Sequence, residues 1–362
     1  MKNKLEISEE SCFKMGEKRI GIIAIHDIQN HYVFYQTIID LFSAHEITLF
    51  LHAKYKPFFK NYLDKDDVQL IYNNSNSSYR FIIKYYKIIK RQDLIIEEEP
   101  YSGSEVLLAL LLNLFIKNKY ITIHNCNKWF TPEFTYAPKK FMINILRQLL
   151  LQNVNGFIVI SPNIKEYIEK VRPKLIDDVY FIPFSLLTNY SAKEINISTD
   201  ENVINIVIPG IVDSQIRDYY GVLSAFRNYL NSSKGSKIKI SLLGRLNSDE
   251  QKVKKIIKEI NFDFPDSVLF WENFIDDNTF NKILYSSDFL LANIHPAYTK
   301  FGLKETYGSS KETGVFFHMI NFEKKLIAVD EYRVIDYLST NIISFKSIDD
   351  LVSIFKKIDN GE

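Results

Sequence analysis

Glycine is scarce in this sequence: 12 residues in 362, against about 7% in an average protein. A glycine standing at the end of an apolar run therefore carries more weight here than usual. Cysteine is scarcer still, with Cys12 and Cys126 only. Two cysteines with no CxxC spacing make neither a disulfide framework nor a zinc site, and they suit a reducing compartment. Charge of one sign is also missing. The 45 basic and 44 acidic residues leave a net charge of +1, so no global field draws the chain to nucleic acid. No apolar run reaches the ~20 residues that span a bilayer; the longest, Val106 to Ile116, is broken by Asn113. The polar first 18 residues lack the apolar core of a secretory signal and read as a loose tail. GxGxxG, GxSxG and P-loop patterns are all absent. Together these gaps point to a cytoplasmic globular protein.

What is present is alternation. Short apolar runs such as Ile20–Ile25, Ile47–Leu51, Leu94–Ile96 and Ile121–Ile123 end in polar residues and alternate with helical patterns. Runs of this kind read as strands buried on both faces of a parallel sheet. The pattern loses periodicity over residues 186–201, which are rich in Ser, Thr and Asn, and restarts at Val203. Two α/β domains are expected, over residues 19–185 and 202–362, joined by a linker. Finer expectations are Ser104 as a helix cap, a loop carrying His295, Pro296 and Gly302, and a helix over residues 331–338.

Ligands of parallel sheets bind outside the carboxyl ends of the strands. In the first half those ends carry His26 and Asp27, the acidic run Glu97 to Glu99, His124 with Asn125, and Ser161. A hydroxyl acceptor needs hydrogen-bond partners and a base, and His124 is the best single candidate. The alternatives are a structural histidine and a solvated acidic loop. In the second half, Gly210 and Gly244 each end an apolar run, and Arg217 and Arg245 follow them. Two arginines over one sheet edge suit a diphosphate; a surface pair with Asp213 is the plainer use of Arg217. The stretch Lys304-Glu305-Thr-Tyr-Gly-Ser-Ser-Lys311-Glu312-Thr313-Gly314 leads into an apolar helix. A helix N-terminus with a nearby lysine favours phosphate, Glu312 suits a ribose and Glu305 a sugar ring. The plainer reading is a capped helix. The lysines around Lys252–Lys258 read as a solvated helix face. Lys139 to Leu151 is amphipathic and basic, which serves either packing on a sheet or contact with a bilayer.

The run Ile204 to Phe226, the segment Val268 to Asn293 with Asp288, the glutamate-bearing loop Glu305 to Gly314 and the strand ends Thr122–Asn125 and Ile158–Ser161 resemble the GT-B glycosyltransferases, in particular the group 1 enzymes. The resemblance implies two Rossmann-like domains facing a cleft. It also implies a nucleoside-diphosphate sugar as donor substrate, no other cofactor and no metal, and backbone near Phe274 and Ile275 meeting the base. It implies a glycan or lipid-linked acceptor, as in surface polysaccharide synthesis, with work at the inner face of the membrane as an option. Under it, Gly210, Arg217, Arg245, Lys311, Glu312, Thr313 and Gly314 hold the donor. Glu305 and His124 serve catalysis, and His26, Asp27, Glu98 and Asn125 face the acceptor. Two departures stand out: Gly210-Ile-Val replaces the common Gly-Arg-Leu, and the paired glutamates are seven apart instead of eight. They keep open a non-catalytic binding subunit that has lost the donor site; a sugar-nucleotide epimerase built on the same two domains is the other rival.

Overall fold

A computed structural model describes residues 18–25, 31–62, 65–74, 77–132, 137–184, 203–233, 235–300 and 303–362. The tail, the linker at 186–201, and His26 with Asp27 lie outside the described residues, apart from Lys18.

The described residues form two compact units. The first takes Met1–His124, Pro132–Ile160 and Lys174–Pro183; the second takes Asn125–Thr131, Ser161–Pro173 and Phe184–Glu362. The first is built on seven parallel strands: β1 (Arg19–Ala24), β2 (Glu46–His52), β3 (Val68–Asn73), β4 (Leu94–Glu97), β5 (Lys119–Ile123), β6 (Gly156–Val159) and β7 (Val179–Phe181), in spatial order β3-β2-β1-β4-β5-β6-β7. Its helices are α1 (Tyr32–Leu41), α2 (Ser78–Ile89), α3 (Gly103–Asn113) and α5 (Pro138–Asn153). The runs seen in the sequence are these strands. They are apolar throughout because helices cover the sheet, and Ile22, Ile23, Leu49 and Ile95 are fully buried. Ser102, not Ser104, caps α3: its side chain accepts from the Glu105 amide, and Glu105 reaches back to the Ser102 amide in a reciprocal capping box.

The second unit holds α4 (Cys126–Phe130), α6 (Pro162–Val171) and a six-stranded parallel sheet ordered β10-β9-β8-β11-β14-β15. Its strands are β8 (Ile204–Pro209), β9 (Ile238–Arg245), β10 (Val268–Trp271), β11 (Phe289–Ala292), β14 (Lys325–Val329) and β15 (Ile342–Phe345). Helices α7 (Tyr219–Ser232), α8 (Gln251–Asp263) and α11 (Ile348–Asp359) bury Phe226, Tyr229, Ile257 and Phe355 on one face of it. Helices α9 (Asp277–Ser286) and α10 (Gly314–Asn321) complete the set. The expected loop after His295 is an antiparallel hairpin, β12 (Ala297–Lys300) with β13 (Leu303–Thr306). The helix expected over residues 331–338 is a 3-10 turn at Asp336–Asn341. The lysines of α8 make surface pairs, Lys254 with Glu272 at 2.6 Å among them, as a solvated face does.

In each sheet the chain reverses direction across one pair of central strands, β1/β4 in the first and β8/β11 in the second. Open α/β sheets take their ligands outside the strand ends at such switch points.

Candidate functional site

The strand ends at β8/β11 are shaped by two glycines. Gly210 follows β8 with φ +106°, a region that side chains avoid. A Cβ there would stand 2.6 Å from the Arg217 guanidinium. Gly244 leaves room for the Gly210 carbonyl, which any Cβ would strike. The Arg217 side chain turns to the Pro209 carbonyl at 2.5 Å, not to Asp213. Its backbone bridges to Ile294 beyond β11, so the switch point is closed by main chain from both strands. Arg245, at the end of β9, is exposed.

Asn293, which no motif singled out, stands at the end of β11. It is 1% exposed, and neither side-chain polar atom has a protein partner among the described residues. Leu291, two positions back, packs in the core under α7, so the period of a strand puts Asn293 on that face. Buried amides in this state are rare in native structures.

Helix α10 begins beside this edge. Thr313 caps it, accepting from the Val315 amide, and Gly314 is exposed, with open space where a Cβ would stand. Farther along α10, burial and the nearby Arg217 cation hold the His318 ring down to about 4, so it is neutral at pH 7. Glu312 is buried. One carboxylate oxygen accepts from Tyr332 and from the Thr313 amide. Burial outweighs these bonds and raises Glu312 to about 7. Burial likewise raises the Tyr332 phenol well above its ordinary range.

The loop before α10 is fastened to α4 and α6. Glu305 accepts from the Asn127 amide at 3.1 Å, and Asn127 donates to the Lys304 carbonyl at 2.5 Å. The Ser310 carbonyl receives the Cys126 amide. Lys311 donates to Asn125 at 2.7 Å. Gly308, with φ +71°, passes the Arg333 backbone too closely for any side chain. Arg333 pairs with Glu166 of α6 at 2.5 Å. Lys311 and Asn125, assigned to donor and acceptor sides from the sequence, thus meet each other. Gly210, Arg217, Asn293, Lys311, Glu312, Thr313 and Gly314 all belong to the second unit.

The first unit has its own polar cluster where β4 and β5 end. Glu97, Glu98 and Glu99 are all buried, which excludes the solvated-loop reading. Glu97 pairs with the buried Lys119 at 2.8 Å and is structural. Glu98 and His31 Nδ1 are hydrogen-bonded at 2.8 Å. His31 precedes α1; its ring lies 4.4 Å from that of His124. Glu99 accepts from the His124 amide at 2.8 Å. Burial, then the Glu98 charge, pushes the Tyr35 phenol well up. His124 and Glu98 thus share one cluster, to which the structure adds His31. A lone histidine before a helix has no sequence signature. No group of three or more metal-ligating side chains occurs among the described residues.

Solved structures share this fold over nearly the whole chain. A HepE structure from Anabaena, in complex with UDP and glucose, is 12% identical with TM-score 0.62, covering 95% of this chain and 91% of its own. A glycosyltransferase from Rickettsia africae is 15% identical with TM-score 0.61, covering 96% and 88%. Sucrose-phosphate synthase from Thermosynechococcus elongatus is 14% identical with TM-score 0.56, covering 94% and 90%. The fold is that of the GT-B glycosyltransferases. No protein-family profile matches the chain, and no curated protein sequence does.

Proposed function

We propose that this chain is a glycosyltransferase that moves a sugar from a nucleoside-diphosphate sugar, UDP in the first instance, to a hydroxyl acceptor. The observation that carries the reading is the β8/β11 switch point: a positive-φ glycine under an arginine, beside the open N-terminus of α10. Backbone amides and a cation there suit a departing diphosphate. The UDP and UDP-glucose complexes of HepE support the choice of base.

In this reading Arg217, Arg245, Lys311 and the amides at Gly314 stabilise the charge that develops on the leaving diphosphate. Glu312 faces the ribose. Glu305, by holding the Asn127 amide, keeps the loop in place beneath the donor sugar. His124, with His31 and Glu98, receives the acceptor hydroxyl and its proton. A glycan or lipid-linked acceptor, as in surface polysaccharide synthesis, fits this cluster of hydrogen-bonding groups. The reaction calls on no metal ion, so chelator should leave turnover unchanged.

The test is melting temperature against UDP, GDP, dTDP, CMP and NAD at millimolar concentration, because a ligand of the folded state alone must raise it. A shift with UDP is expected. Arg217→Ala should weaken UDP binding about tenfold, as loss of one charge-assisted contact does. A flat response to the whole panel sinks the donor site and favours a non-catalytic subunit. Conversion of a UDP-sugar without acceptor would mark an epimerase instead.

A further inference from the structure

Helix α5 is unusual for a helix that packs on a sheet, because polar residues share its buried side and large apolar ones are left exposed. Its buried side includes Asn144 and Arg147, while Phe141, Met142, Ile145 and Leu149 are exposed, Met142 at 60%. The reason lies beneath it: Arg147 donates to Asn144 at 3.0 Å and to the Tyr101 carbonyl, and the Glu99 charge counters the cost of its burial. Polar Asn144 and Arg147 are used inside, beside the buried Leu150 and Leu151, while Phe141, Met142, Ile145 and Leu149 face out.

Helix α3 lies alongside; it buries Val106, Leu108, Ala109 and Leu112 and still leaves a second apolar stripe exposed. Gly103 at its start touches Ile143, and Asn113 at its end donates to the Asn153 carbonyl. The two helices thus run side by side. Leu107, Leu111, Leu114 and Phe115 fall at positions i, i+4, i+7 and i+8, one stripe of α3, and all are exposed, Leu114 at 72%. Two apolar stripes on adjacent helices make one apolar face. Monomeric proteins rarely leave such a face to water.

Its surroundings are cationic. Helix α2 packs beside α3, with Tyr86 against Phe115 and the Tyr79 hydroxyl on the Ser104 carbonyl. Between Ser78 and Gln92 the chain carries Arg80, Lys84, Lys87, Lys90 and Arg91 and no acidic residue. Lys139 and Lys140 open α5, and Glu105, engaged in its capping box, is the one acid on these three helices. In a chain of net charge +1 this is a pronounced local excess.

We infer that the α2–α3–α5 face docks on an anionic lipid bilayer, with the α3 and α5 stripes in the acyl boundary and the lysines at the headgroups. The charge decides the occupant. A second copy docked by the same face through a two-fold axis would set cations against cations, whereas an anionic surface complements them, at about 1 kcal/mol per basic residue near the headgroups. No helix among the described residues is long and apolar enough to cross a membrane, so the contact is interfacial.

The full chain is sedimented with vesicles of phosphatidylcholine alone and of phosphatidylcholine with about a third phosphatidylglycerol. Binding to the anionic vesicles is expected, weakened by salt. Leu114→Ser with Met142→Ser, and separately Lys139→Glu with Lys140→Glu, should each lower it about tenfold. These residues are exposed, so melting temperature and the response to UDP should stay as in the unmutated chain. That leaves the docking and the sugar-transfer readings separable. Absence of binding to anionic vesicles, binding indifferent to both double variants, or a stable dimer that the Leu114→Ser/Met142→Ser change dissolves would each overturn the inference.

Discussion

Glu312 is buried and His318 half-buried in the same short stretch, and desolvation moves their proton affinities in opposite directions. Glu312 is raised from 4.5 to about 7. Below pH 4.5 it is protonated folded and unfolded, and contributes nothing to pH dependence. As pH rises from 4.5 to 7 the unfolded chain gives up a proton that the folded chain keeps, so stability falls. His318 is lowered from 6.5 to about 4; its contribution is lost as pH falls from 6.5 towards 4, when only the unfolded ring gains a proton. Glu312→Gln keeps an oxygen for Tyr332 and the Thr313 amide but cannot ionise. It should leave stability nearly unchanged at pH 4.5 and raise it on the order of 2–3 kcal/mol at pH 8. Urea melts at the two pH values check this, and an equal effect at both would refute the assignment. Residue by residue, the sequence showed what has a local signature. Gly210 and Gly244 were legible because glycine is scarce and both end apolar runs. The φ of +106° and the carbonyl packed against Gly244 give the reason. His31 and Asn293 were not legible, since their meaning comes from partners 67 residues away in one case and from missing partners in the other.

At the scale of elements, strands that are buried on both faces announce themselves: the short runs Ile20–Ile25, Ile47–Leu51, Leu94–Ile96 and Ile121–Ile123 became strands, while the longer run from Val106 became helix α3. Helix ends are harder, because several serines compete. Ser102 and Ser104 both precede α3, and only the first stands three residues before Glu105. Ser102→Ala removes one arm of the reciprocal box and should cost about 1 kcal/mol. Thermal unfolding measures it, with Ser104→Ala, which leaves the box intact, as the comparison. The β12–β13 hairpin escaped the sequence reading for a different reason. Its strands are four residues each and pair with each other instead of joining a sheet, so no buried run marks them. Helix α5 was legible as amphipathic, but which side faces the core was not. That depends on Glu99 and Tyr101, which lie far from it in the chain and hold its arginine.

At the scale of the molecule, chain order and spatial order part company. Residues 125–131 and 161–173 belong to the second unit although stretches of the first unit separate them from the rest of it in the chain. A change of composition at residues 186–201 marks a place where the chain can be cut, and it carries no information on which helices pack where. The contacts at stake are substantial. Trp129 and Phe130 of α4 and Ile164 and Ile168 of α6 are buried. Tyr167 donates to Asn127, Asn163 donates to the Arg333 carbonyl at 3.0 Å, and Arg172 reaches the Phe130 carbonyl. Covering a single large apolar side chain contributes roughly 1.5–3 kcal/mol, so losing two helices' worth approaches the 5–15 kcal/mol that holds an ordinary domain together. A fragment of residues 203–362 lacks both helices and also the Asn127 amide that Glu305 holds. Expressed alone, it should melt well below the full chain and show no melting-temperature response to UDP. Co-expression with residues 1–185 should restore both properties, because the missing helices return in trans. If the isolated fragment instead melts like the full chain and keeps its UDP response, α4 and α6 are not integral to the second unit, and the anchoring of the loop through Glu305 and Lys311 has no part in nucleotide binding.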